Sequence, residues 1–186
     1  MSALEYLLEG QESERLYFRK LKESDFENWL AFCRDPTSLK YIFFAQSTPD
    51  DPLMKCKSWF DRIFNRYENN LGGLNVLIDK NTNEFIGQCG LLIQTIDGIE
   101  EMEVGYSIMP EHRKKGYALE AAKKCKNFAF ENNLRDSLIS TIHIDNVNSA
   151  KVAMANGMVK EKKTIYMDNP VNIFRISRVE WMTNER

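Results

Sequence analysis

Glu103-Val104-Gly105-Tyr106-Ser107-Ile108-Met109-Pro110-Glu111-His112-Arg113-Lys114-Lys115-Gly116-Tyr117-Ala118 reads as a strand, then a basic turn around a glycine, then the start of a helix. That order of elements builds an anion site. The N–H groups of a helix start have no partner inside the helix and point along the positive end of its dipole. Gly116 lets the backbone approach a ligand closely, and Arg113, Lys114 and Lys115 add positive charge. A Walker A phosphate loop is excluded, because no Gly-x-x-x-x-Gly-Lys-Ser/Thr occurs in the chain.

The residues that follow predict a helix with one apolar face. Ala118, Ala121, Ala122, Cys125, Phe128 and Ala129 recur at three- and four-residue intervals. Small side chains in its first turns suit close packing on a sheet, which leaves Lys123, Lys124 and Lys126 for the solvent side. Around this helix the chain predicts strands near 14–21, 73–79, 84–95, 100–109, 138–143, 158–167 and 171–182. Further helices are expected near 24–33, 51–66 and 147–156, with Ser24 as N-cap and Asp25 just inside the first of them, and Pro52 at the first position of the second. Thr82-Asn83 and Asp97-Gly98 mark hairpin turns. The pattern is α/β (α+β): a mixed, mostly antiparallel sheet of about seven strands flanked by helices. Parallel pairing is expected where the long helix crosses from the 103–109 strand to the 138–143 strand.

Composition sets outer limits. A chain of 186 residues without a Pro/Gly/Ser-rich linker or internal repeat suits one domain, 1–186. A net charge of −2 argues against a general nucleic-acid or anionic-membrane binder while allowing a local basic patch. No apolar run reaches bilayer length, and Glu5 and Glu9 stand where a signal peptide carries basic residues, so a cytoplasmic protein is expected. Cys33, Cys56, Cys89 and Cys125 are widely spaced, and His112 and His143 are the two histidines, which points to reduced thiols and no metal site.

Arg113-Lys114-Lys115-Gly116-Tyr117-Ala118 resembles the Arg/Gln-x-x-Gly-x-Gly/Ala loop of the GNAT superfamily of N-acetyltransferases. Lys115–Ala121, preceded by Glu103–Tyr106, is similar more narrowly to the branch that contains the ribosomal-protein N-terminal acetyltransferases. Asn146-Val147-Asn148-Ser149, followed by Ala155-Asn156-Gly157-Met158, resembles that branch's Asn-x-x-Ser helix start and its closing Gly-Phe or Gly-Met. Glu14–Arg19, with Asp25 soon after, is similar to its opening strand, so the resemblance spans a core of about 13–182. It implies a splayed pair of parallel strands at the switch, with acetyl-coenzyme A (acetyl-CoA) lying between them. Backbone groups of Ile108 and Met109 would pair with the pantetheine arm, amides from Arg113, Lys114, Lys115, Gly116, Tyr117 and Ala118 would hold the pyrophosphate, and Asn146 would reach the arm from the other strand's loop.

The implied reaction is acetyl transfer to a primary amine, of a protein N-terminus or a small molecule, by direct attack in a ternary complex. A free amine is largely protonated at neutral pH, so a carboxylate is needed to take its proton. Glu103 is the candidate, with Glu101 on the same face as the alternative. Ser149 is the candidate acid for the thiolate, or simply a helix cap, since the tyrosine usual in the superfamily is replaced by Ala153. A backbone N–H near Ile108 or Met109 is the expected oxyanion donor. Residues 32–66, with Tyr41–Phe44 and Asp50-Asp51-Pro52, should form the acceptor wall, Asp50 and Asp51 serving either as attractors of a cationic amine or as caps. The alternative function is a non-catalytic acyl-CoA sensor or interaction protein, as a monomer or homodimer, without nucleic-acid or membrane partners.

Overall fold

Asp97 and Gly98 both adopt positive φ, 52° and 78°, and close a two-residue hairpin in which Ile96 faces Ile99. This is the turn geometry whose twist matches the flanking strands. The computed structural model describes residues 6–184, so Glu5 lies outside the described residues. The strands are β1 Leu16–Lys20, β2 Gly72–Asp79, β3 Phe85–Ile96, β4 Ile99–Ile108, β5 Ser137–His143, β6 Val159–Tyr166 and β7 Asn169–Ser177. The helices are α1 Phe26–Arg34, α2 Pro36–Leu39, α3 Phe43–Gln46, α4 Pro52–Glu68, α5 Tyr117–Glu131, α6 Val147–Ala155 and α7 Arg178–Asn184. Among the described residues one seven-stranded sheet runs in the order β1-β2-β3-β4-β5-β7-β6, antiparallel throughout except for β4 beside β5.

Each face of the sheet carries its own core. Ala121, Ala122, Cys125 and Ala129 of α5 and Ala153 of α6 pack with Phe18, Leu91 and Val104 on one face. Trp29, Phe32, Trp59 and Phe60 of α1 and α4 pack with Leu74, Val76 and Leu92 on the other. Trp59 also donates its indole N–H to Gln88 Oε1 at 3.2 Å, giving a buried polar atom its partner. The four cysteines are buried and free, and no helix among the described residues is long and apolar enough to cross a membrane.

Four sequence expectations need correction. The last strand stops at Ser177, and Glu180 folds back on it: its carboxylate accepts from the Ser177 N–H and hydroxyl, both at 2.7 Å, and its own N–H donates to Ser177 Oγ at 3.2 Å. That reciprocal Ser-x-x-Glu pairing starts a helix where a strand was expected. Near the N-terminus, Ser24 lies inside a short 3-10 helix, Glu23–Asp25, and does not cap α1. The cause is Asp25, which Arg19 grips with two 2.7 Å bonds while Lys22 N–H donates to it at 2.9 Å, leaving Asp25 at the N-cap position of α1. Lys126 is buried because α6 covers that side of α5, and its ammonium donates to the Asn156 carbonyl at 3.0 Å. Finally, α2 and α3 occupy a stretch for which no helix is expected from the sequence.

β4 and β5 are in register at Glu103↔Ile139, whereas β4 and β3 stay in register from Gly87↔Ile108 to Ile96↔Ile99. The splay this creates is bridged by side chains. Ser140 Oγ donates to the Val104 carbonyl at 2.9 Å in a fully buried setting. Ser140→Ala should therefore destabilise the protein by about 1–3 kcal/mol, because it leaves a buried carbonyl unpaired; urea denaturation of the variant should show a lower midpoint with an unchanged slope.

Candidate active site

The ladder on the β3 side decides what β4 offers to the gap. Met109 N–H donates to the Ile86 carbonyl at 3.0 Å, so alternate residues bond to β3 and leave Val104, Tyr106 and Ile108 to turn their backbone groups toward β5. Met109 is buried and lies apart from the cleft, so its amide is not open to a ligand. Past Ser140 the two strands separate, and the gap widens into a cavity of about 910 Å³ lined by residues of β4, β5, the loop before α5, α6 and α4.

At the open end of the gap the chain makes a 3-10 turn, Pro110–His112, and enters α5 through Lys114 at φ 60° and Gly116 at φ 85°. Gly116 is the N-cap of α5, with no side chain capping it, so the first helical N–H groups face outward. A side chain at Gly116 would be strained by that backbone angle, and its Cβ would stand 3.4 Å from the Arg15 guanidinium. The loop is held from behind. Glu120 accepts from Ser13 Oγ at 2.6 Å and from Arg15 N–H and Nε, both at 2.7 Å, while Arg15 also donates to the Lys115 carbonyl at 3.0 Å and lies 4.2 Å over the Tyr117 ring. The Tyr117 hydroxyl donates to Asp79 at 2.8 Å. Partial burial works against the Glu120 charge, but these hydrogen bonds outweigh it and hold its carboxyl below the usual glutamate range.

The predicted site residues divide into two groups. Ile108, Arg113, Lys114, Gly116, Tyr117, Ala118, Asn146, Ser149 and Glu103 all line the cavity, whereas Met109 and Lys115 do not. Arg113 is tied to the protein: Nε donates to the Ile108 carbonyl at 3.1 Å, Nη1 reaches Asp35 at 3.4 Å and Thr37 Oγ1 at 3.1 Å, and Nη2 donates to Ser38 Oγ. It clasps α2 to the end of β4. Burial opposes the Asp35 charge, yet the Ser38 and Thr37 hydroxyls, the Thr37 N–H and the Arg113 guanidinium together bring its carboxyl down to about 2. Asn146 caps α6 by accepting from Ser149 N–H at 3.2 Å, and Tyr106 donates to the Ser149 carbonyl at 2.8 Å. The Ser149 hydroxyl takes part in neither bond.

Glu103 sits 9% exposed at the closed end of the gap. Its Oε1 accepts from Thr141 N–H at 3.0 Å and its Oε2 from Gln94 Nε2 at 3.0 Å. Burial pushes its carboxyl up, and these bonds and the nearby Arg66 only partly offset the shift. Gln94 is oriented in turn by Arg66 Nη2 at 2.9 Å and by the Tyr166 hydroxyl at 3.1 Å, both donating to its Oε1. Glu101, the alternative, is instead paired bidentately with Arg175 at 2.6 and 3.1 Å. Sequence reasoning did not find Arg15, Arg66, Gln94 and Tyr106 as parts of this site. Arg66 falls at the end of the acceptor-wall region, and Tyr106 was quoted only as part of the strand. Asp50 pairs with Lys55 and Asp51 caps α4 through Leu53 N–H, so both act locally.

A helix start open to an anion, a gap between parallel strands, and a buried carboxylate at the closed end lie along one cavity. Residues 15–159 match the acetyltransferase (GNAT) domain, and the chain belongs to that family. It is similar to the uncharacterized protein YkkB of Bacillus subtilis, 34% identical over 96 residues that make up 52% of this chain and 56% of that one. The matched stretch thus spans little more than half of YkkB. An uncharacterized N-acetyltransferase, p20, of Bacillus licheniformis is 26% identical over 150 residues, 80% of this chain and 82% of p20. In fold the chain resembles the spermidine N-acetyltransferase of Vibrio cholerae, solved with CoA and spermine, with a TM-score of 0.70 at 17% identity over 90% of this chain and 98% of that one.

The clamp behind the loop carries a pH signature. Glu120→Ala should cost about 1–3 kcal/mol at neutral pH, less a discount for its partial exposure. Because the folded-state pKa of Glu120 is depressed, its contribution is present above the unfolded pKa and is lost as pH falls through the folded one. Thermal unfolding of native protein and variant should therefore differ at pH 7 and converge at acid pH.

Proposed function

We propose that the protein moves the acetyl group of acetyl-CoA to a primary amine. The observation that carries this reading is the alignment, along one cavity, of the uncapped α5 start, the splayed β4–β5 gap and the buried Glu103 carboxylate. Amides from Lys114 to Ala118 would hold the pyrophosphate, with Lys114 supplying charge. Ile108 and Asn146 would flank the arm, and Arg113 would fix the wall beside it rather than grip a phosphate.

The amine nitrogen attacks the thioester carbonyl carbon and the C–S bond breaks, giving an amide and CoA thiol. Glu103, kept basic by its raised pKa, receives the proton leaving nitrogen, directly or through water. The Ser149 hydroxyl gives a proton to the departing sulfur and regains one from solvent. The Ser149 backbone is held twice, by Asn146 at its N–H and by Tyr106 at its carbonyl, with the hydroxyl in neither bond. An Ile108 N–H turned toward the gap suits the oxyanion. Membership of the ribosomal-protein branch is not needed for any of these steps.

Thiol release in the presence of an amine panel tests the proposal and separates transfer from a sensor role. Glu103→Gln should lower kcat by about 10²–10⁴-fold. In the native enzyme the acid limb of kcat/KM should lie above the ordinary glutamate value of about 4.3, since the base works only when deprotonated and burial raises its pKa. Ser149→Ala should reduce turnover by at least ~10-fold with little change in acetyl-CoA affinity. No thiol release with any amine would favour the sensor, and full turnover in both variants would remove their assigned roles.

A further inference from the structure

The acceptor half of the cavity has a distinct electrostatic character. Arg62 and Arg66 stand one turn apart on α4 and both line the cavity, Arg66 close to Glu103 at its closed end. Among the described lining residues Glu103 is the single acidic side chain. Among the described residues Arg66 bonds to uncharged acceptors: the Leu71 and Ile93 carbonyls at 2.9 and 3.1 Å and Gln94 Oε1 at 2.9 Å. Desolvation lowers its pKa and the nearby Glu103 charge only partly offsets this, without a direct bond between the two. Arg62 lies 4.6 Å over the Phe44 ring, and neither arginine forms an ion pair among the described residues. Through Gln94, Arg66 stands one side chain away from Glu103.

A polyamine entering this half would bring several positive charges against two guanidinium groups, with one carboxylate already engaged by Gln94 and Thr141. An amine that also bears an anion meets the opposite situation. Guanidinium groups take carboxylate or phosphate in paired hydrogen bonds, and among the described residues neither arginine makes such a bond, although Arg66 lies close enough to Glu103 to feel its charge. We infer that the acceptor is a small primary amine carrying an anionic group, whose anion docks on Arg62 with Arg66 behind it while its nitrogen faces Glu103. This deepens the transfer reading and rests on it. It also sets the pocket apart from that of a spermidine N-acetyltransferase of the same fold.

Matched probes test the inference: methionine against methioninamide, phosphoethanolamine against ethanolamine, and spermidine. Binding is read by calorimetry on full-length protein saturated with CoA, and turnover by thiol release from acetyl-CoA. In at least one pair the anionic member should bind about tenfold or more tightly than its neutral partner and than spermidine, and that pair identifies the anion as carboxylate or phosphate. Arg62→Gln, at an exposed position that folding tolerates, should erase the advantage and raise KM far more than it lowers kcat. Equal or tighter binding of the neutral amines or of spermidine, no binding by either anionic probe at about 10 mM, or an undiminished advantage in Arg62→Gln would overturn it. Transfer to all amines alike would overturn this inference and leave acetyl transfer standing. An anion preference in binding with no thiol release from any amine would overturn acetyl transfer and with it the acceptor role, leaving only an anion site at Arg62.

Discussion

The hydrogen bond from Thr141 N–H to the Glu103 carboxylate fixes where the sheet stops being a sheet. A strand amide that an ordinary parallel ladder would give to a carbonyl goes here to a side chain, and Ser140 does the same in the other direction with the Val104 carbonyl. β4 and β5 therefore come into register at one point and then part. The cavity, the exposed backbone edge at Tyr106 and Ile108, and the placement of α5 and α6 on either side of the gap all follow from that parting. Glu103 then holds two duties, as a structural acceptor and as the proposed base. Its burial raises its proton affinity and so makes the two compatible.

The open end of the cleft shows a division of labour among cations. Residues that resemble phosphate ligands in the sequence are partly structural here. Arg113 ties β4 to α2 through Ile108, Asp35, Thr37 and Ser38, and Lys115 contributes its carbonyl to Arg15. What faces the gap is backbone, shaped by left-handed residues Lys114 and Gly116 and braced by the Arg15–Glu120 pair. Oriented amides of this kind bind a diphosphate without reorganising, and a nearby lysine raises the local potential. The same Arg113 clasp joins the loop before α5 to α2, so the two walls of the open end are mechanically linked.

Much of this was legible in the sequence where a local rule governs. Asp97-Gly98 named its turn, Gly116 marked a close backbone approach at a helix start, where the structure puts a left-handed residue, and the small face of α5 suited packing on a sheet. Where the sequence misled, the deciding partner was distant or a local rule was overlooked. Lys126 is buried by a helix 30 residues away, and Arg113 finds its partners some 75 residues earlier, distances over which no periodicity speaks. Arg66 and Gln94 carry no motif because their roles exist only once α4 lies across β3. The Ser177-Arg178-Val179-Glu180 box was readable as a helix start, but the apolar alternation of β7 runs straight into it. α2 and α3, four residues each, are too short to show a period at all.

Calorimetric titration of acetyl-CoA into the native protein and into a Lys115→Glu/Gly116→Trp variant tests the central claim most directly. The account predicts one-to-one binding to the native chain and its loss in a variant whose circular dichroism is unchanged. A folded native chain that binds no acetyl-CoA, or a variant that binds it as well as the native chain does, would contradict the assignment of the donor cleft.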